Sequence, residues 1–176
     1  MAASERALRI AAAAAKRRGA EVEFLTGRDL MVPLYDTEST ERAPDAQHLV
    51  DALRRCDGLL ISTPGYHGSL SGMIKNALDY CEDLRTDARP YLHDRAVGCI
   101  AVAHGWQTAV GTLHQMRQIV HSLRAWPTPL GCAINDAGGL LGVDAASTDI
   151  DVVRQLETMG EQVTEFALAR REMHKA

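Results

Sequence analysis

Residues 96–103 read Ala-Val-Gly-Cys-Ile-Ala-Val-Ala, eight positions without a charged or strongly polar side chain. A strand covered on one face alternates apolar with polar residues. An unbroken apolar run bounded by turn residues suits a strand covered on both faces. This run ends at His104 and Gly105, and a second short apolar run, at 59–61, ends at Pro64 and Gly65. Each leads into a stretch with helical spacing: residues 71–84 after the second run, and residues 109–123, where Leu113, Met116, Val120 and Leu123 recur, after the first. Strands alternating with helices of this length specify parallel βαβ units with right-handed crossovers. The expected class is α/β, doubly wound.

The rest of the chain fits the same plan. Residues 4–18 have high helix propensity, with Ser4 as a candidate N-cap and Gly19 as a stop. Residues 21–25 alternate and are expected to form a short strand. Pro33 and Pro44 place residues 29–44 in a surface loop, after which Asp45 is expected to cap a helix carrying Leu49, Val50, Leu53 and Cys56 on one face. Ser69 or Ser71 is the candidate cap of the helix over 71–84. A last strand is expected over 130–134, turn chemistry over 135–139, and a final helix from Thr148. At 176 residues the chain is expected to form one domain, 1–176.

Composition narrows the function classes. A net charge of -4 gives no general attraction to nucleic acid. No stretch approaches the roughly 18 to 20 apolar residues that cross a bilayer, and the alanines at 11–15 lie between Arg9 and Lys16 as a helix interior. The first residues lack a signal-peptide layout, so a cytoplasmic location is expected. Cys56, Cys81, Cys99 and Cys132 form no CxxC pair, which disfavours both a metal site and a disulfide framework; Cys99 and Cys132 are expected to be buried. His114 and His121 stand seven apart without further ligands, so no metal is expected. Neither Ser69 nor Ser71 sits in a Gly-x-Ser-x-Gly frame, and no Gly-x-Gly-x-x-Gly dinucleotide fingerprint occurs.

In an open α/β sheet, ligands sit at loops beyond the carboxyl ends of the strands. The candidates are therefore Pro64, Gly65, Tyr66, His67, Gly68 and Ser69 after one strand, and His104, Gly105, Trp106 and Gln107 after the other.

Thr63-Pro64-Gly65-Tyr66-His67-Gly68-Ser69, followed by Gly72, Lys75-Asn76-Ala77 and Asp79-Tyr80, resembles the signature of the NAD(P)H-dependent FMN reductase family of flavodoxin-like proteins. In that family the loop usually reads Thr-Pro-Glu-Tyr-Asn-Gly-Ser ahead of a Lys-Asn-Ala-hydrophobic-Asp-aromatic helix. The resemblance extends to Ala133-Ile134-Asn135-Asp136-Ala137-Gly138-Gly139. It implies a flavodoxin-like doubly wound parallel sheet of strand order 2-1-3-4-5 with FMN at the switch point. Residues 64–69 would then meet the isoalloxazine ring, with His104, Gly105 and Trp106 on its other side. The resemblance further implies electrons from NADPH or NADH, a small-molecule electron acceptor (flavin, quinone, azo compound or metal oxyanion), and a homodimer or homotetramer joined through the helix after the flavin loop.

On those terms Gly65 and Gly68 let backbone N–H groups approach a flat ring, Ser69 offers a hydroxyl, and Tyr66 an aromatic wall. A plain tight turn would use the same glycines. His67 and His104 either bond flavin or substrate or stay solvated, Trp106 either stacks on a ring or plugs the sheet end, and Lys75 either attracts a cofactor phosphate or is a solvated helix lysine. No catalytic side chain is expected, because flavin chemistry belongs largely to the cofactor.

Two departures bear on this. Gly65 and His67 stand where the family commonly has Glu and Asn, so contacts of those side chains are altered. The family also opens with a strand and a phosphate loop, roughly Gly-Ser-x-Arg-x-x-Ser, of which Ser4 alone matches here. The expectation is therefore an N-terminally truncated sheet, first strand missing, with Ser4 as the remaining phosphate-loop residue. The alternative is a non-catalytic oligomeric flavodoxin-like protein that has lost flavin binding.

Overall fold

The centre of the fold is the strand that the unbroken apolar run specifies. In a computed structural model that describes residues 1–173, β3 (Ala96–Ala103) is buried at every position. Counting from the N-terminus, the chain forms α1 (Ala3–Arg17), α2 (Pro44–Arg55), β1 (Gly58–Tyr66), β2 (Ser69–Leu70), α3 (Gly72–Asp79), β3, α4 (Trp106–Ser122), β4 (Trp126–Pro127), β5 (Cys132–Asn135) and α5 (Ile150–Met173). Strand β1 runs parallel to β3, in register from Gly58 opposite Ala96 to Pro64 opposite Val102. On the other edge of β3, β4 pairs at Ala96 and Val97, and β5 pairs from Ile100 opposite Cys132 to Ala103 opposite Asn135, both parallel.

Side chains of β3 alternate between two cores. Val97, Cys99 and Ala101 join Leu49, Val50 and Leu53 of α2, Ile74 and Leu78 of α3, and Met116 and Val120 of α4. Ile100 and Val102 join Ile10 and Ala11 of α1 and Leu156 and Met159 of α5. Helices thus cover both faces, and the doubly wound α/β expectation holds. The alanine run of α1 serves the second face. A methyl group at Gly160 of α5 would collide with the Ala11 carbonyl, so small residues on both helices allow the close approach.

Several local expectations change. Residues 21–25 enter no ladder. Their alternate side chains are tied to different helices: Glu23 meets Arg55 (2.6 Å) and His48 (3.2 Å) of α2, while the Phe24 ring lies under Arg9 and Lys16 of α1. The outer edge of β1 along residues 58–64 carries no further strand among the described residues, and without a neighbour to bond its backbone the segment stays irregular. The strand expected over 130–134 starts later, as β5 at Cys132, and a separate two-residue strand, β4, stands ahead of it at Trp126–Pro127; Pro129, which has no N–H for a ladder, lies between them.

The helix expected over 71–84 is α only to Asp79 and continues as a 3-10 turn, Tyr80–Leu84. Helix starts shift as well. Ala2 stands at the cap of α1, leaving Ser4 inside its first turn; α2 begins on Pro44 behind Ala43 rather than on Asp45. Asp149, not Thr148, caps α5, its Oδ1 accepting from the N–H of Asp151 (3.0 Å) and Val152 (3.2 Å). Among the described residues no helix is long and apolar enough to cross a membrane.

Candidate functional site

Residues 64–69 form the turn of a hairpin. Strand β1 folds back on β2, with Gly65 opposite Leu70 and Tyr66 opposite Ser69. The two residues between them, His67 (φ 51°) and Gly68 (φ 85°), both lie in the left-handed region. That is the backbone of a type I′ turn, whose twist matches the strands it joins. Glycine meets the requirement without strain, and histidine is among the few side chains that tolerate it.

Two sets of contacts hold the hairpin. At its base the Ser71 N–H donates to the buried Thr63 Oγ1 (3.1 Å), and the Ser71 Oγ in turn accepts from the Ile74 N–H (3.3 Å). Ser71 is therefore both the tie to β1 and the N-cap of α3, one of the two serines the sequence offers for that role. On the side of α4, the Ser69 hydroxyl donates to Gln115 Oε1 (2.7 Å), and Gln115 Nε2 donates to the Gly68 carbonyl (2.8 Å). The Ser69 proton is thus committed inside the protein. Gly65 faces α4 as well: a methyl group there would lie 2.8 Å from Thr108 Cγ2 and 2.9 Å from Thr112 Oγ1. Glycine at 65 is required by packing against the helix, a reason that residue spacing does not reveal. Beneath it, the buried Thr112 Oγ1 has no hydrogen-bond partner.

The chain leaves β3 more abruptly. Only His104 and Gly105 separate the strand from α4, so Trp106 and Gln107, expected in a loop, are the first helical residues. Gly105 adopts φ 152° and ψ 137°, and its carbonyl accepts from the Ala109 N–H (3.0 Å). Trp106 and Tyr66 are each 59% exposed, so neither ring plugs the sheet end and both remain available as walls. His67 and His104 are exposed.

The first turn of α1 lies at the same rim. The Ser62 hydroxyl of β1 donates to the Ser4 carbonyl (2.7 Å). The leading N–H groups of a helix have no partner within it, and they make this end attractive to anions. Arg6 spans from here to the end of β5: its guanidinium donates to the carbonyls of Met1 (3.1 Å) and Leu141 (3.1 Å), while its Nε is buried with no partner. Leu141 is itself placed by the Asp136 carboxylate, which accepts its N–H (2.9 Å). The fold therefore gathers Ser4, residues 64–69 and residues 104–106 at the carboxyl ends of the parallel strands.

Other residues of the loop-and-helix motif serve the structure. Lys75 pairs with Asp79 (2.6 Å) on the exposed side of α3. Asn76 staples the 32–35 segment, its Nδ2 donating to the Pro33 carbonyl (2.9 Å) and its Oδ1 accepting from the Tyr35 N–H (2.9 Å). Burial pushes the thiols of Cys81, Cys99 and Cys132 up to about 12, and among the described residues no group of three His, Cys, Asp or Glu is placed to hold a metal ion. The arrangement suits holding a flat, anionic molecule better than attacking one. A ring with a phosphate tail fits it: exposed aromatic side chains and glycine backbone stand at one part of the rim, with unpaired helix N–H groups and the unpartnered Arg6 Nε at another.

Comparison with known proteins points the same way. Residues 3–138 match the family model described as NADPH-dependent FMN reductase. An NADPH azoreductase of Bacillus sp. (strain OY1-2) is 31% identical over 132 residues, covering 72% of this chain and 70% of that protein. An FMN-dependent NADPH-azoreductase of Staphylococcus aureus (strain USA300) is 38% identical over 81 residues, which span 46% of this chain and 39% of that one. Among solved structures, the flavoenzyme NAD(P)H:(acceptor) oxidoreductase FerB from Paracoccus denitrificans superposes with a TM-score of 0.77 at 18% identity, covering 94% of this chain and 90% of that one. At that identity the likeness bears on the fold alone.

Proposed function

Since the chain belongs to the NADPH-dependent FMN reductase family, we propose that it is an oxidoreductase that holds FMN at this rim and passes electrons from NADPH or NADH to a small-molecule acceptor. The observation that carries the reading is the rim itself, where exposed Tyr66 ends β1 and exposed Trp106 opens the helix that follows β3. FMN held there would supply the hydride chemistry that links a reduced nicotinamide to the acceptor. The protein's part is to bind and orient. Pro64, Gly65, Tyr66, His67, Gly68 and Ser69 with His104, Gly105 and Trp106 hold the ring, and the first turn of α1, with Ser4, holds the phosphate. Gly65 contributes by letting the hairpin lie on α4, and Ser69 by fixing the turn.

No side-chain acid or base is needed for that chemistry. The azoreductase relatives favour an azo compound as acceptor. The proposed assembly is a homodimer. Its support is the exposed Met31, Leu34 and Met73 around a hollow of about 330 Å³ beside α3; a monomer in sedimentation equilibrium would rule it out. Free thiols at all four cysteines agree with a reducing cytoplasm.

Titration with FMN tests the reading. Protein added to free flavin should quench its fluorescence, and the loaded protein should oxidise NADPH in the presence of a quinone or azo dye. Trp106→Ala should weaken FMN binding about three- to tenfold, the worth of one aromatic stacking contact, with little loss of stability because the side chain is exposed. Protein that stays colourless in excess FMN sinks the proposal.

A further inference from the structure

Thr108, Gly111, Thr112 and Gln115 of α4 recur at spacings of three and four residues, which puts them on one helix face. The hairpin lies on that face. Gly65 comes so close to Thr108 and Thr112 that no larger residue fits, and a methyl group at Gly111 would reach to 4.0 Å from the Gly68 carbonyl. Three small residues seat the hairpin, and the fourth closes over its tip. Gln115 touches two consecutive tip residues with the two ends of one amide, accepting from the Ser69 hydroxyl (2.7 Å) and donating to the Gly68 carbonyl (2.8 Å). The orientation of the amide follows from its partners. A carbonyl only accepts, so Nε2 must face Gly68, while a hydroxyl serves either end.

We propose that Gln115 is a positioning residue for the cofactor, a two-point latch that sets the direction of the His67-Gly68 turn toward the flavin ring; this rests on the flavin reading above. The turn needs such a latch. His67 holds a left-handed backbone that a side chain rarely adopts, and such a conformation persists where its surroundings over-determine it. A carboxylate at 115 retains an acceptor for Ser69 but sets an oxygen against the Gly68 carbonyl. Leucine fills similar space and bonds neither.

Gln115→Glu, Gln115→Leu, Ser69→Ala and the Ser69→Ala/Gln115→Leu pair test the latch through FMN affinity, the visible absorption of bound flavin, thermal melting, and amide hydrogen exchange of the flavin-free protein. Gln115→Glu and Gln115→Leu should each weaken FMN binding about tenfold and speed exchange at residues 67–69 by a similar factor, with melting nearly unchanged. Ser69→Ala should cost about threefold, and the pair no more than Gln115→Leu alone, since both groups act in one unit. Unchanged affinity and exchange in both Gln115 variants overturns the proposal, as does a lowered melting temperature with unchanged affinity. Wild-type protein that takes up no FMN overturns the flavin reading instead. Exchange at the tip then decides the latch on its own: faster in Gln115→Leu supports it, unchanged refutes it.

Discussion

Strands β1 and β3 lie side by side in register and deliver the chain to the same rim, yet they leave the sheet in opposite manners. After β1 the chain doubles back through a two-residue turn, is tied at its base by Thr63 and Ser71, and is held at its tip by Gln115. After β3 it passes through His104 and Gly105 straight into α4. The first exit is fixed by side-chain hydrogen bonds to other elements; the second depends on one unusual glycine backbone. Two exposed rings at one rim can therefore be positioned by different physics: side-chain packing and hydrogen bonds around Tyr66, chain geometry for Trp106.

Three substitutions break or sharpen this contrast. Gly65→Val strikes the seat on α4, where Thr108 and Thr112 already stand within 3 Å of a first added carbon. Overpacking of this kind costs about 1–3 kcal/mol, and the expected outcome is a lower urea midpoint at unchanged slope together with lost FMN binding. An unaltered midpoint would mean that the hairpin does not rest on α4. Gly105→Ala meets no atom within 4 Å, so its cost is backbone strain alone, about 1–2 kcal/mol. If Gly105→Ala unfolds at the same midpoint as the wild type, the β3–α4 junction takes an ordinary backbone and the contrast narrows.

The smallest effect belongs to His67→Asn. Asparagine tolerates the same left-handed backbone and Asn-Gly is the favoured pair of a type I′ turn, so stability should move by no more than a few tenths of a kcal/mol, toward gain. A loss near 1 kcal/mol in the same unfolding measurement would reveal a contact of the imidazole that the turn does not explain.

Much of the fold and part of the site were legible in residue order. The apolar run at 96–103 named the central strand, Gly105 marked its exit, and the periodicity of 109–123 located α4 to within a few residues, whereas Pro64 and Gly65, expected to end the other strand, lie inside β1, which runs on to Tyr66. Residues 21–25 show the limit of such reading. Their alternation was real, but it distributes Glu23 and Phe24 to α2 and α1 rather than to two faces of a sheet. A strand requires a neighbour for its backbone, and no local pattern reports whether one is present.

What the sequence determined alone is whatever depends on near neighbours along the chain: which runs are buried on both faces, where turns interrupt them, which helices are amphipathic, and hence the doubly wound class and the rim at which the segments around Tyr66 and Trp106 assemble. Only the tertiary structure decided what each rim residue is for. Gly65 serves the approach of α4, the Ser69 proton goes to Gln115, and Trp106 opens a helix. The reason is reach. Propensity acts over a few residues, whereas Ser69 and Gln115 stand 46 apart, and a hydrogen bond across that separation exists only once β3 and α4 have brought its two ends together.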